Sequence, residues 1–178
     1  MTAAKKSPPK SAKAPSHASK GAAASDAIKL LTADHAEVKA LFKQYDKLVK
    51  AEASDDEKQA IAHTICQMVT VHAQIEEEIF YPAVREVLDE QDLLDEADIE
   101  HASAKELIEQ IQASDPSDDH FDAKIKVLGE YIDHHVQEEQ NEIFKEVKKA
   151  GLDTAAVGEE LAARKEELMA ATGLETSV

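Results

Sequence analysis

The chain has 178 residues, 43% of them hydrophobic, which is enough for one domain with a core of its own. Five glycines, five prolines and no tryptophan, beside abundant Ala, Glu, Lys, Leu and Asp, favour helix and leave little for sheet. The formal charge of −17 is uneven: residues 1–25 hold five lysines and no acid, leaving −22 on the rest, a sign that opposes contact with nucleic-acid phosphates or anionic lipid.

Residues 1–25 are Lys, Ala, Pro and Ser with almost no apolar bulk, so a disordered basic tail is predicted, either merely solvated or an arm that touches DNA or an acidic partner, with His17 in no pattern. A first helix is predicted from the caps Ser25 or Asp26 to about Lys50, with Ile28, Leu31, His35, Val38, Phe42 and Tyr45 on one stripe. A second starts at Ser54 and carries Ile61, Ile65, Met68, His72, Glu76, Ile79 and Ala83; Pro82 predicts a kink or an early end. A third runs from about Asp92 to Ala113 on Leu94, Ala97, His101, Ala104 and Ile108. After the turn-forming SDPSDD segment, a fourth is predicted from about Ser117 to Lys149 on Ile125, Leu128, Ile132, His135, Glu139 and Ile143, with Gly151 closing it. A short amphipathic helix from about Asp153 to Ala170 follows. The predicted fold is all-α: an up-down-up-down antiparallel four-helix bundle over 26–150, with a short C-terminal helix and tail over 151–178.

Four of the eight histidines and two glutamates occupy inward places on these stripes. His72 with Glu76 and His135 with Glu139 are spaced i, i+4, so each pair shares one helical face. His63, His120 and His134 fall on polar faces and are predicted to be exposed. A buried carboxylate without a cation costs several kcal/mol, and two facing carboxylates cost more. The stripes carry no Arg or Lys at that level, Lys105 being nearest, so a metal site is predicted. The chain also repeats itself. Asp34-His35 is followed 37 residues later by His72-x-x-x-Glu76, and Glu100-His101 is followed 34 residues later by His135-x-x-x-Glu139. Glu-Ile-Phe closes both halves, and two matching halves predict two metals that the carboxylates can bridge.

The contexts Leu-Thr-Ala-Asp-His35, His72-Ala-Gln-Ile-Glu76-Glu-Glu-Ile-Phe-Tyr-Pro82, Glu-His101 and His135-Val-Gln-Glu-Glu139-Gln-Asn-Glu-Ile-Phe resemble the hemerythrin-like HHE cation-binding domain over about residues 26–150. The resemblance implies two iron ions with an oxo or hydroxo bridge, held by His35, His72, Glu76, His101, His135 and Glu139. It also shows a departure. The oxygen carriers of that family have a second histidine one turn after that of the third helix, where this chain has Lys105, and they place the last carboxylate five residues after its histidine rather than four. Four histidines instead of five leave a position for water or an exchangeable ligand.

The expected function is therefore binding or sensing of O2, peroxide or NO at a di-iron centre. The alternative is an enzyme that degrades peroxide or oxidises ferrous iron, with Tyr45 and Tyr131 as candidate redox neighbours, or an iron-handling stress protein. No apolar run approaches the roughly 20 residues of a membrane span, and no N-terminal apolar stretch signals export. The lone Cys66 excludes an internal disulfide and suits a reducing cytosol, so a cytoplasmic monomer or weak dimer is expected.

Overall fold

The computed structural model describes residues 26–89 and 91–173. The expected tail over 1–25 and the last five residues lie outside that range. The described residues are helical throughout, joined by turns: α1 Ala27–Lys50, α2 Asp55–Ile75, α3 Tyr81–Arg85, α4 Asp92–Gln112, α5 Phe121–Glu138, α6 Phe144–Ala150 and α7 Thr154–Thr172. One π-helical turn, Glu76–Phe80, joins α2 to α3, and another, Glu139–Ile143, joins α5 to α6.

The ends follow local chemistry. Asp26 caps α1 by accepting from the Lys29 N–H at 3.0 Å. Ser54 and Glu57 form a reciprocal capping box on α2. Gly151 ends α6 with φ 76°, a conformation that suits a residue without Cβ. The fourth long helix starts at Phe121 rather than Ser117. Asp115 Oδ1 accepts from the Ser117 N–H at 2.9 Å, and the Asp118 N–H donates to the Asp115 carbonyl at 2.9 Å, so the acidic loop satisfies itself as turns before the helix begins. Pro82 does not end the second segment early. It sits in the first turn of α3, where its missing N–H costs little, and the helix continues to Arg85.

The π turns shift the stripe. An α-helix continuing from His72 and Glu76 would turn Ile79 and Ala83 inward; the extra residue in the turn instead buries Phe80, Tyr81 and Val84. The second π turn likewise buries Phe144 beside Ile143.

Helix α1 packs on α2 and α5, and α4 packs on both α5 and α2, enclosing one interior. That interior holds two apolar clusters. Leu31, Ile75, Phe80, Leu94 and Phe144 belong to one, and Val38, Ile65, Met68, Ile108 and Leu128 to the other. Helices α1 and α4 run from the first cluster to the second, and the two long segments α2–α3 and α5–α6 run back. His35, His72, Glu76, His101, His135 and Glu139 fall between the clusters on all four segments, as a polar layer in an otherwise apolar core. Helix α7 lies across α1 and α2 and buries Leu161 and Met169.

Candidate metal centre

All six residues of the layer are buried, Glu76 and Glu139 completely. Nε2 of His35 lies 2.9 Å from Nε2 of His72, and Nε2 of His101 lies 3.2 Å from Nε2 of His135. Glu76 stands between these pairs, with one oxygen 3.1 Å from His72 and the other 3.4 Å from His101. Glu139 brings an oxygen to 3.2 Å from His35. Two overlapping groups result, His35/His72/Glu76 and Glu76/His101/His135, each able to hold one ion, with Glu76 in both. The internal repeat of the sequence is thus a pair of half-sites in space.

No carboxylate oxygen of Glu76 or Glu139 has a hydrogen-bond partner among the described residues. A buried polar atom left so costs about 1–3 kcal/mol, more when charged. Burial opposes ionisation of both acids, but the His72 and His101 rings hold Glu76 well below the usual carboxylate range. Glu139 is pushed well above that range by burial and by the neighbouring Glu76 charge. Burial lowers His35 to about 3, and the nearby His72 adds to this. For His72 and His101 burial pulls downward, but Glu76 and the outer carboxylates prevail and raise both to about 9. Carboxylates pushed toward opposite protonation states, among imidazoles crowded nitrogen to nitrogen, make a donor set that a cation would relieve. A donor set of four imidazoles and two carboxylates fits first-row transition metals, and the two glutamates would neutralise part of their charge.

A second layer, which the sequence stripes did not reveal, backs each ring through Nδ1. Glu77 accepts from His101 at 3.0 Å, and Glu100 from His135 at 2.7 Å. The Gln140 amide faces His35 Nδ1 at 2.9 Å; its oxygen can accept from that N–H once the amide is oriented to suit. Asp34 Oδ2 lies 3.5 Å from His72 Nδ1. Each partner is the sequence neighbour of a layer residue, a rotation of one step that aims it at the next helix. Such contacts fix the tautomer that leaves Nε2 free for a metal. Lys105, expected as the nearest neutralising cation, instead pairs with Glu77 at 2.6 Å. Lys165 of α7 pairs with Asp34 at 2.5 Å.

Of the tyrosines singled out from sequence, neither reaches the layer. The Tyr45 hydroxyl donates to Asp122 at 2.7 Å within the second apolar cluster, and Tyr131 is exposed. The tyrosine at the site is Tyr81, brought inward by the π turn, with its hydroxyl 3.4 Å from His101 Nε2 and 3.5 Å from His135 Nε2. His63, His120 and His134 are exposed, as their polar faces predict. His134 pairs with Glu100 and Glu138 at the surface. Cys66 is fully buried in the apolar core, which raises its thiol to about 11 and makes it unreactive.

Two spaces adjoin the layer. A chamber of about 20 Å³ touches all four rings between walls such as Val69, Ala104, Ile108 and Ile132. A pocket of about 300 Å³ opens between α1 and α5 and reaches His35 past Phe42, Gly129, Ile132 and Val136. His35, Ile132 and Val136 line both.

Comparison with known proteins agrees with this arrangement. The sequence model of the Hemerythrin HHE cation binding domain matches residues 26–147. A curated relative, the DNA nickase of Nostoc sp. (strain PCC 7120 / SAG 25.82 / UTEX 2576), is 32% identical over 116 residues, 65% of this chain. The chain spans 31% of that protein's length. Among solved structures, a hemerythrin HHE cation binding domain-containing protein from Mycobacterium kansasii superposes with a TM-score of 0.66 at 22% identity, covering 82% of this chain and 88% of the other, a likeness of fold. The chain belongs to the hemerythrin HHE cation binding domain family.

Proposed function

We propose, with that membership as premise, that the chain is a non-haem di-iron protein that binds or senses O2 or a related small molecule such as peroxide or NO. Its ligands on this reading are His35, His72, Glu76, His101, His135 and Glu139, presented by an up-down-up-down antiparallel bundle. The observation that carries the reading is the pair of fully buried glutamates whose four oxygens lack any hydrogen-bond partner among the described residues, set among four converging ring nitrogens. Two iron ions joined by an oxo or hydroxo bridge would supply redox-active, Lewis-acidic positions open to a small ligand.

The protein's own part is to hold and shelter. Glu77 and Glu100 orient His101 and His135, so that their Nε2 lone pairs point into the layer. The apolar walls of the small chamber keep bulk water from competing for the open positions and admit little beyond a diatomic or triatomic molecule. Tyr81, whose hydroxyl is held in its protonated form by burial first and then by the Glu76 charge, can donate a hydrogen bond at the His101/His135 half. With four imidazoles rather than five, one position stays available for exchange.

The pocket against His35 supports a second reading, an enzyme that degrades peroxide or oxidises ferrous iron, because it offers a reactant larger than O2 a way to the layer. DNA nicking is not carried over to this chain, since the net charge of −17 disfavours a phosphate backbone. Metal analysis and a visible spectrum of aerobically purified protein test the main reading. Two irons per chain with near-ultraviolet absorption of a bridged ferric pair are expected. Full occupancy by zinc alone would overturn it. Gas evolution on adding peroxide separates the enzyme from the binder.

A further inference from the structure

The two half-sites have the same inner residues but different backing. On the His101/His135 half both rings donate to carboxylates at hydrogen-bond distance, Glu77 at 3.0 Å and Glu100 at 2.7 Å. On the His35/His72 half neither does. His35 meets the neutral amide of Gln140, and His72 faces Asp34 at 3.5 Å, outside the range of a good hydrogen bond. Asp34 Oδ2 and His72 Nδ1 both lack a hydrogen-bond partner among the described residues. The other oxygen of Asp34 is drawn to Lys165 on α7. The break in symmetry is written in the sequence, since the residue after each inner glutamate is Glu77 in one half and Gln140 in the other.

A carboxylate that accepts the Nδ1 proton makes an imidazole a more basic ligand and fixes its orientation; loss of such a partner commonly weakens metal affinity about 10–100-fold. The weaker half is also the more open one. The 300 Å³ pocket between α1 and α5 touches His35 and none of the other three rings. We infer that the two metal positions are inequivalent: the His101/His135 half holds its ion tightly, and the His35/His72 half holds an exchangeable ion beside the open pocket. This rests on the proposed ligand set. It adds that the second ion can be lost and regained while the first keeps the bundle folded, so metal occupancy itself could serve as a signal.

The test is the release of metal from the full-length loaded protein into excess chelator, followed by absorbance and by metal analysis of the retained fraction. Two phases of one equivalent each are expected, differing at least about tenfold in rate. Gln140→Glu should slow the fast phase toward the slow one. Glu100→Gln should speed the slow phase and leave the fast one in place, with helix content followed by circular dichroism in both variants. A single phase releasing two equivalents, or a fast phase unmoved by Gln140→Glu in a folded variant, overturns the inference while sparing the di-metal reading. A folded wild-type protein that retains no metal against dialysis overturns both.

Discussion

Glu139 separates a metal ligand from a structural polar residue, because the two roles predict opposite signs when its charge is removed. In the metal-free protein burial and the Glu76 charge raise its pKa well above the ordinary 4.5. Below 4.5 the acid is protonated in both folded and unfolded chains and favours neither. As pH rises past 4.5 the unfolded chain ionises and the buried group does not, so stability falls by about 1.4 kcal/mol per pH unit until the folded group titrates. Between 4.5 and an assay at pH 7 this sets a ceiling of about 3 kcal/mol. Glu139→Gln removes that loss and keeps the shape of the side chain. The metal-free variant should therefore be about 1–3 kcal/mol more stable than wild type at pH 7, with the gain vanishing near pH 4.5. For a chain of this length that is roughly 3–10 °C in Tm. Saturating iron should raise the Tm of wild type and do far less for the variant, since stabilisation follows RT ln(1 + [L]/Kd). Differential scanning calorimetry of both proteins, with and without Fe(II) under anaerobic conditions, reads all four values. A metal-free variant less stable than wild type at pH 7, with its iron response intact, would refute the reasoning and make Glu139 a core residue.

Other expectations follow from single contacts. Lys165→Met should cost about 1–3 kcal/mol in urea unfolding, as the loss of a charged hydrogen bond does. Burial raises the Asp34 pKa, but His72 and Lys165 outweigh it and hold the group below 3.8, so its stabilisation is present above that value and fades as pH falls; the variant's acid unfolding should move to higher pH. Val136→Phe, at a wall shared by chamber and pocket, should slow NO binding to the reduced protein at least about tenfold in stopped-flow mixing with iron content unchanged, equivalent to about 1.4 kcal/mol of barrier. Equal rates would place the ligand's route elsewhere. Ser54→Ala breaks the capping box on α2 and should cost about 1 kcal/mol in urea with no change in metal content.

The helices and the inner six residues were legible because periodicity is a local property. His72 and Glu76, or His135 and Glu139, share a face through one α-turn whatever surrounds them. Legibility stops at Glu76 and Glu139, where the π turns begin. No residue type announces such a turn. It is set by two tertiary demands at once: the glutamate must stay at the layer, while Phe80 and Tyr81, or Ile143 and Phe144, must reach the next apolar cluster. That is why the α-helical stripe points to Ile79 and Ala83 while Phe80, Tyr81 and Val84 are inside, and why periodicity alone does not single out Tyr81. The start of α5 was misplaced by four residues for a simpler reason. Asp115 and Asp118 bind their own backbone more readily than they begin a helix.

The outer ring was hidden by the same logic that found the inner one. A residue next to a stripe residue lies about 100° around the helix and looks like surface on one helix alone; it becomes an inner partner only when the neighbouring helix brings a ring to it. Asp34, Glu77, Glu100 and Gln140 all stand in that relation to His35, Glu76, His101 and Glu139. Lys105 gains its meaning here. One turn after His101, where the oxygen carriers place a histidine, it points outward to Glu77, the acceptor of the His101 Nδ1 proton. With an ammonium in place of that imidazole, the position would supply no inner ligand and instead anchors, through Glu77, the orientation of the His101 ring. On the proposed di-iron reading, the His101/His135 half would give up a donor while the two it keeps are oriented by Glu77 and Glu100, so that its grip on the metal would not be loosened.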